Sequence, residues 1–363
     1  MAINLALATG GALGEVDRFL SPTTSASSDA STWQAGWVEA ALHQEQLADF
    51  DVANGFVACA GGRSLRASVY HAISESFTPP GPLKAERYSA ALHAFATAHE
   101  YARLPIERVE MPVPGGIMPA ILGFGTAPRD RTRPVVMAIG GPDLTKELVY
   151  CLLADKFARA GVELLAIDVP GSGEALRLGG LPAQADAEIL VGAAIDHLYA
   201  RTDPGFGAIG ILGLGLGGYD ALRAAALDPR IGACAVWGGA GDVRSAWLRR
   251  LKHPDCLAIH PQLQLPWTMG TRDVDAALDR CAEFTLPDLM SSRRQPVIVL
   301  HGTADPLTDT DEMLSVVDEA SSTNKTLWLF DQDDGGQTSL QIDQPVAALD
   351  ILSSWFADRL AQG

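Results

Sequence analysis

Residues 208–227 read AIGILGLGLGGYDALRAAAL, a short apolar run, a glycine-rich turn and then an alanine-rich stretch. A buried strand that enters a tight turn and leaves as a helix is a building unit of a parallel α/β sheet. The turn carries two patterns at once. Gly213, Gly215 and Gly218 satisfy G-x-G-x-x-G, the dinucleotide fingerprint. Gly213-Leu214-Gly215-Leu216-Gly217 also has the frame of the nucleophile elbow, G-x-S-x-G, with Gly215 where serine would stand. Context separates them. The fingerprint opens the first βαβ unit and is followed, about 20 residues on, by an acid at the tip of the next strand. Here at least two strands precede the turn, the next strand ends Ala235-Val236-Trp237-Gly238-Gly239, and Asp242 comes late. The elbow frame is the better fit.

The same alternation extends in both directions. PVVMAIG (134–140), VELLAID (162–168), IGACAVW (231–237), PVIVLHG (296–302) and TLWLFD (326–331) are β-rich runs, with helical stretches from Thr145, near 185–200, from Gly218 and from Pro345. Residues 106–125 read as a hairpin turning near Gly115-Gly116. The pattern predicts an α/β fold with a doubly wound, mostly parallel sheet. Before it, 1–102 is expected to be a helical region, broken at Pro79, Pro80 and Pro82, with the Ser/Thr-rich stretch 21–32 as an exposed loop. Between the strands ending at Trp237 and starting at Pro296, residues 238–295 hold helical pieces, Trp247 and Trp267 but no convincing strand. That is too long for a structureless loop and is expected to be a cap insert. The α/β core is then 103–237 with 296–363.

Composition narrows the function. With 27 Lys+Arg and 44 Asp+Glu the formal charge is −17, which argues against nucleic acid or an anionic membrane as partner. The five cysteines, Cys59, Cys151, Cys234, Cys256 and Cys281, form no CxxC or Cys/His spacing, and the histidines form no metal-ligand pattern, so no metal and no cofactor is expected. No apolar run approaches the roughly 18 residues of a membrane span. The start, MAINLALATGG, has no basic residue before Arg18 and makes a poor signal peptide, so a cytoplasmic protein is expected. The expected partner is a small-molecule substrate; a homodimer is left open.

In open α/β sheets ligands bind at the carboxyl ends of strands. Four such ends are informative: GGPDLTKE (140–147), DVPGSGE (168–174), GLGLGG (213–218) and HGTADP (301–306). In this order they resemble the α/β-hydrolase superfamily, and more narrowly the branch containing 2,6-dihydroxypseudooxynicotine hydrolase and FrsA-like proteins. The resemblance covers most of the chain from about Ile106. It implies that Asp305 is the triad acid, that the Leu216 N–H and the Gly140-Gly141 turn form an oxyanion hole, and that Glu147 matches an additional acid used by some members. The nucleophile position is Gly215. The histidine position falls at Gly336-Gln337, so Gln337 replaces it.

Acyl-enzyme chemistry needs a nucleophile and a base. Gly215 has no side chain, and Gln337 takes no proton near neutral pH; ordinary Ser-His-Asp hydrolysis is expected to be absent. An oxyanion hole also stabilises enolates, since both place charge on a former carbonyl oxygen. Nucleophile-free members of the superfamily are lyases, cyclases and eliminases of natural-product and antibiotic pathways, including acetate elimination in tetronate assembly. The resemblance therefore implies a lyase that eliminates a carboxylate from an acylated carbon acid. Candidate bases are Glu147, Asp305 and His301; Tyr219 and Gln337 are candidates for orienting substrate, and Gly141, Gly215 and Leu216 for binding it. Plainer roles stand beside these: His301 as a buried core histidine, Asp305 as a structural acceptor, Tyr219 as packing, Glu147 as a complement to its helix dipole. Two other functions compete, a hydrolase with relocated catalytic groups and an inactive binding scaffold.

Overall fold

One sheet of eight strands runs in the order β1-β2-β4-β3-β5-β6-β7-β8 in the computed structural model, which describes residues 2–20, 30–125, 132–201, 205–239, 241–254, 258–286 and 294–361. The strands are β1 (Ile106–Val113), β2 (Gly116–Gly123), β3 (Arg133–Ile139), β4 (Glu163–Ile167), β5 (Phe206–Leu214), β6 (Ile231–Trp237), β7 (Val297–Gly302) and β8 (Lys325–Phe330). β1 and β2 form an antiparallel hairpin in which Val113 faces Gly116, and β2 pairs antiparallel with β4. All other neighbours are parallel. This is the α/β-hydrolase fold expected from the sequence.

β3 shows why the centre of the sheet is where it is. Val135 to Ile139 are all fully buried, as a strand covered on both faces must be. Val135, Met137 and Ile139 enter one core cluster while Val136 and Ala138 enter the other, the alternation a pleated strand imposes. At about 1.5–3 kcal/mol for each large aliphatic side chain buried, two such layers anchor the carboxyl ends of β3 and β5. One layer is closed by α8 (Ala187–Tyr199) and α9 (Gly217–Leu227), the other by α6 (Lys146–Arg159) and the last helix, Pro345–Leu360.

Among the described residues five helices precede the sheet: α1 (Ala2–Ala8), α2 (Leu13–Leu20), α3 (Ala30–Ala53), α4 (Val57–Ser76) and α5 (Pro82–Ala102). Pro82 opens α5, where a missing N–H costs nothing, and Gly81 ahead of it has φ +146°. Trp37, Tyr70 and Ile73 fill the core of this region. Of the Ser/Thr-rich stretch, 21–29 lies outside the described residues, and 30–32 already belong to α3. Between β6 and β7 the described residues contain α10 (Val243–Lys252), α11 (Pro261–Met269) and α12 (Val274–Cys281), and no strand. Cys256 lies outside the described residues; the other four cysteines are free. No described helix is long and apolar enough to cross a membrane.

Candidate active site at the elbow

The connection leaving β3 runs to β4 on one side and the connection leaving β5 runs to β6 on the other, so a crevice opens at the carboxyl ends of β3 and β5. The Gly140-Gly141 turn follows β3 and the 213–218 turn follows β5. Gly217 rests directly against the Ile139 carbonyl, so no side chain fits there. Gly215 stands at φ +56°, the left-handed conformation that a nucleophile elbow imposes, yet nothing lies within 4 Å of where its Cβ would be. The turn has an elbow's torsion and a glycine at its apex. Beside it, a Cβ on Gly141 would lie 3.3 Å from the Leu216 nitrogen. Among the described residues neither the Gly141 N–H nor the Leu216 N–H donates to a backbone carbonyl. Pro142 offers no N–H, so these two amides are the pair available to a developing oxyanion.

Two chambers meet at that pair, and both are bordered by Gly141 and Leu216. The first, about 80 Å³, is largely apolar, with Leu144, Leu214, Leu307 and Ile342 beside Gly215 and Ser339. It shares Leu5, Asp143, Ser339 and Ile342 with a cleft of about 640 Å³ walled by α1 and by Trp33, Ile73 and Phe77 of the helical region. A cleft of that size matches what a small organic ligand occupies. The second chamber, about 40 Å³, lies on the other side of the elbow against Tyr219, Asp220, Trp247, Thr268 and Phe284.

Asp305 stands behind the first chamber. Its Oδ1 accepts from the Leu307 N–H at 2.8 Å and from the Ser339 hydroxyl, while its Oδ2 is buried with no partner among the described residues. Ser339 borders the chamber and rests its hydroxyl on the Asp305 carboxylate. The sequence reading missed Ser339. Gly335 and Gly336, both at positive φ, fold the chain after β8 back onto the β7 end, and the 3-10 turn Ser339–Gln341 brings that serine onto Asp305. Gln337 is used differently from the expectation. Its backbone carbonyl accepts from Ala304 N at 2.9 Å, and it borders neither chamber. His301 is fully buried, neither ring nitrogen has a partner among the described residues, and burial lowers its pKa even beside Asp305. It too borders neither chamber.

Tyr219 does wall the second chamber, but its hydroxyl donates to the Ala185 carbonyl at 2.9 Å and its ring packs on Phe284. Burial pushes that hydroxyl up to about 12, so it serves as a wall and not as an acid. Asp220, one residue on, has no hydrogen-bond or ion-pair partner among the described residues, and burial alone raises its carboxyl to about 7. In the sequence it looks like an ordinary acid in the first turn of a helix.

Glu147 lies elsewhere. Its carboxylate meets Lys146 Nζ at 2.6 Å and accepts from the Tyr88 hydroxyl at 3.0 Å. Lys146, with no exposed side-chain surface, also meets Asp168 at 3.2 Å and Glu174 at 2.7 Å. Burial pulls its ammonium down, but Glu147, Asp168 and Glu174 outweigh that and hold it above its usual range. Arg177 pairs with Glu75 at 2.8 Å, and Lys84 with the same carboxylate at 2.7 Å. Trp267 of α11 lies over both cations, at 5.8 and 5.4 Å. This cluster joins α4, α5, α6, the helix Gly173–Arg177 and the α11 helix of the insert. The TKE and DVPGSGE blocks, read in the sequence as site motifs or turns, supply its Lys146, Glu147, Asp168 and Glu174. Glu147 therefore borders neither chamber, because its own neighbour Lys146 holds it. Among the described residues no group of three or more metal-ligating side chains gathers.

The family model of the FrsA-like esterases matches residues 25–277. Among curated proteins, the alpha/beta hydrolase ucsC of an Acremonium species is 32% identical over 229 residues, 57% of this chain and 46% of that protein. The 2,6-dihydropseudooxynicotine hydrolase of Paenarthrobacter nicotinovorans is 27% identical over 296 residues, 79% of this chain and 75% of that one. The chain spans about half the length of the fungal relatives it matches. In three dimensions it is similar to the crystal structure of the 2,6-dihydroxy-pseudo-oxynicotine hydrolase, with a TM-score of 0.82 at 22% identity over 99% of this chain and 96% of the other. It is also similar to wild-type AbyA5, with a TM-score of 0.70 at 20% identity over 96% and 95%. At these identities the structural likeness speaks to the fold.

Proposed function

The chain belongs to the FrsA-like esterase family, and from that premise we propose that it is an α/β-hydrolase-fold lyase of natural-product biosynthesis. It eliminates a carboxylate such as acetate from an acylated carbon acid of the tetronate kind, without a cofactor. The observation that carries this reading is the emptied elbow: Gly215 has open space where a nucleophile would stand, beside two amides with no backbone acceptor. A carbonyl oxygen held by Gly141 and Leu216 gains charge as an enolate forms, and fixed donors stabilise that charge without reorganising. The substrate enters by the cleft beside α1 and seats its apolar body on Leu144, Leu214 and Ile342.

The proton leaves the carbon for Ser339 Oγ as the Ser339 hydroxyl proton passes to Asp305. The C–H electron pair becomes the C=C bond, and the C–O bond breaks with its pair on the departing carboxylate. Of the bases considered from sequence, Asp305 fits this role through Ser339, whereas the ion pairing of Glu147 suits it to holding the helical region in place.

Mass spectrometry of products from an acetylated tetronate, beside simple acetate esters, tests the reading. Alkene from the tetronate with the simple esters intact supports elimination. Alcohol would make water or Ser339 the nucleophile and sink it. That second reading, a hydrolase with relocated groups, is favoured by the contact between Ser339 and Asp305, which is how a base addresses a hydroxyl nucleophile.

A further inference from the structure

The second chamber holds polar groups that nothing in the fold uses. Trp247 has no exposed surface and Thr268 only 3%, yet Trp247 Nε1 and Thr268 Oγ1 have no hydrogen-bond partner among the described residues, and both residues border this chamber. Buried donors left unpaired cost roughly 1–3 kcal/mol each, so a position that keeps two, beside an unpartnered carboxyl, is built for something that arrives. The neighbouring charges are all committed. Arg223 of α9 is held by Glu188 at 2.6 Å and by Asp186 at 3.4 Å, and Arg250 of α10 by Asp143 at 2.7 Å. Asp143 is also held by Gln264, and the Tyr219 hydroxyl by Ala185.

We propose that this chamber seats the leaving group: a carboxylate no larger than about acetate, bound by Trp247 Nε1–H, Thr268 Oγ1–H and the neutral carboxyl of Asp220. The size follows from the volume. About 40 Å³, against roughly 10–15 Å³ for one water-sized group, admits about three to four heavy atoms. The role of Asp220 follows from its environment. A carboxyl that burial raises to about 7 is largely protonated just below neutral pH and can donate a hydrogen bond to a departing oxygen. The C–O bond breaks with its pair on the leaving oxygen, the neutral Asp220 carboxyl donates a hydrogen bond to that oxygen, and the product departs as the carboxylate. Asp220 keeps its proton, while Asp305 releases to solvent the one it received. The leaving-group donors and the base then belong to different chambers that meet at the oxyanion pair.

This rests on the lyase reading for its purpose but not for its test, which needs no turnover. Saturation-transfer NMR titration of the purified full chain with acetate should show a saturable site. Its affinity should weaken about ten-fold from pH 6 to pH 8 as Asp220 ionises and repels the anion. D220N should bind acetate with that pH dependence gone, T268V should bind several-fold more weakly, and pivalate should fail to compete. Melting curves of the two variants, both near-isosteric, verify that they fold. Non-saturating acetate, unchanged pH dependence in D220N, or pivalate competing equally would overturn the subsite. If acetate binds as described while the acetylated tetronate gives no alkene, the subsite stands and the lyase reading falls.

Discussion

Two regions of the molecule are rich in buried polar groups, and they are organised in opposite ways. In the cluster around Lys146 the carboxylates of Glu75, Glu147, Asp168 and Glu174 are each matched to a cation. At the elbow, Asp220, Trp247, Thr268 and one oxygen of Asp305 lack partners among the described residues, and two amides lack backbone acceptors. The first arrangement has nothing left to offer a ligand. The second has little else to do. Charge content alone directs attention to the first region; the degree to which each group is already satisfied separates a joint from a candidate reaction site.

The contrast can be broken at its strongest point. Replacing Lys146 by Met leaves three carboxylates around an uncharged side chain, and the loss expected for an unmatched buried charge is about 3–5 kcal/mol, read as a lower urea midpoint. Activity per folded molecule should survive. Swapping the test residue sharpens it: D305N should lower elimination by about 10²-fold or more, the usual contribution of a proton-transfer group. E147Q, which keeps an acceptor for Tyr88, should stay within about ten-fold, or roughly 1.4 kcal/mol. Equal losses in turnover assays would erase the distinction between the two regions.

Smaller effects follow at the elbow. G215S has room for its side chain but must hold an L-residue in the left-handed region, at a cost of about 1–2 kcal/mol by thermal melting. With no histidine bordering either chamber it should remain inactive on simple esters. Smallest is a pH effect on stability. Asp220, raised from 3.8 to about 7, binds a proton in the folded chain that the unfolded chain has already released. Its contribution is therefore fully present below about 4 and fades as pH climbs to about 7. Denaturation of D220N across that window should show a flatter profile than the native chain.

Much of this was legible in the sequence, and the reasons it ends where it does are physical. Strand runs, the hairpin and the elbow frame are local patterns, and each lies within a few residues of the structure: PVVMAIG becomes β3, and the turn near Gly115 joins Val113 to Gly116. Gly215 was readable because absence of a side chain is itself written in the sequence. Asp168 and Glu174 looked like a Pro/Gly turn because their cation lies 22 and 28 residues away. Ser339 was missed for the same reason, since its contact with Asp305 spans 34 residues. Asp220 was hidden differently. Its desolvation comes with distant residues of the insert that share its chamber, among them Trp247 and Thr268, and leaves no mark in a string of letters.

The torsion at Gly215 also bears on how the site could change. Glycine is free to adopt many conformations, yet here it holds the left-handed one that a serine at an elbow would take. Serine is one base substitution from a glycine codon, while placing a histidine at the chamber beside Asp305 calls for a separate event in a different loop. A change to a Ser-His-Asp esterase thus needs two coincident steps, and the first alone costs stability for no new activity. The bend keeps that chemistry within reach in geometry and remote in selection.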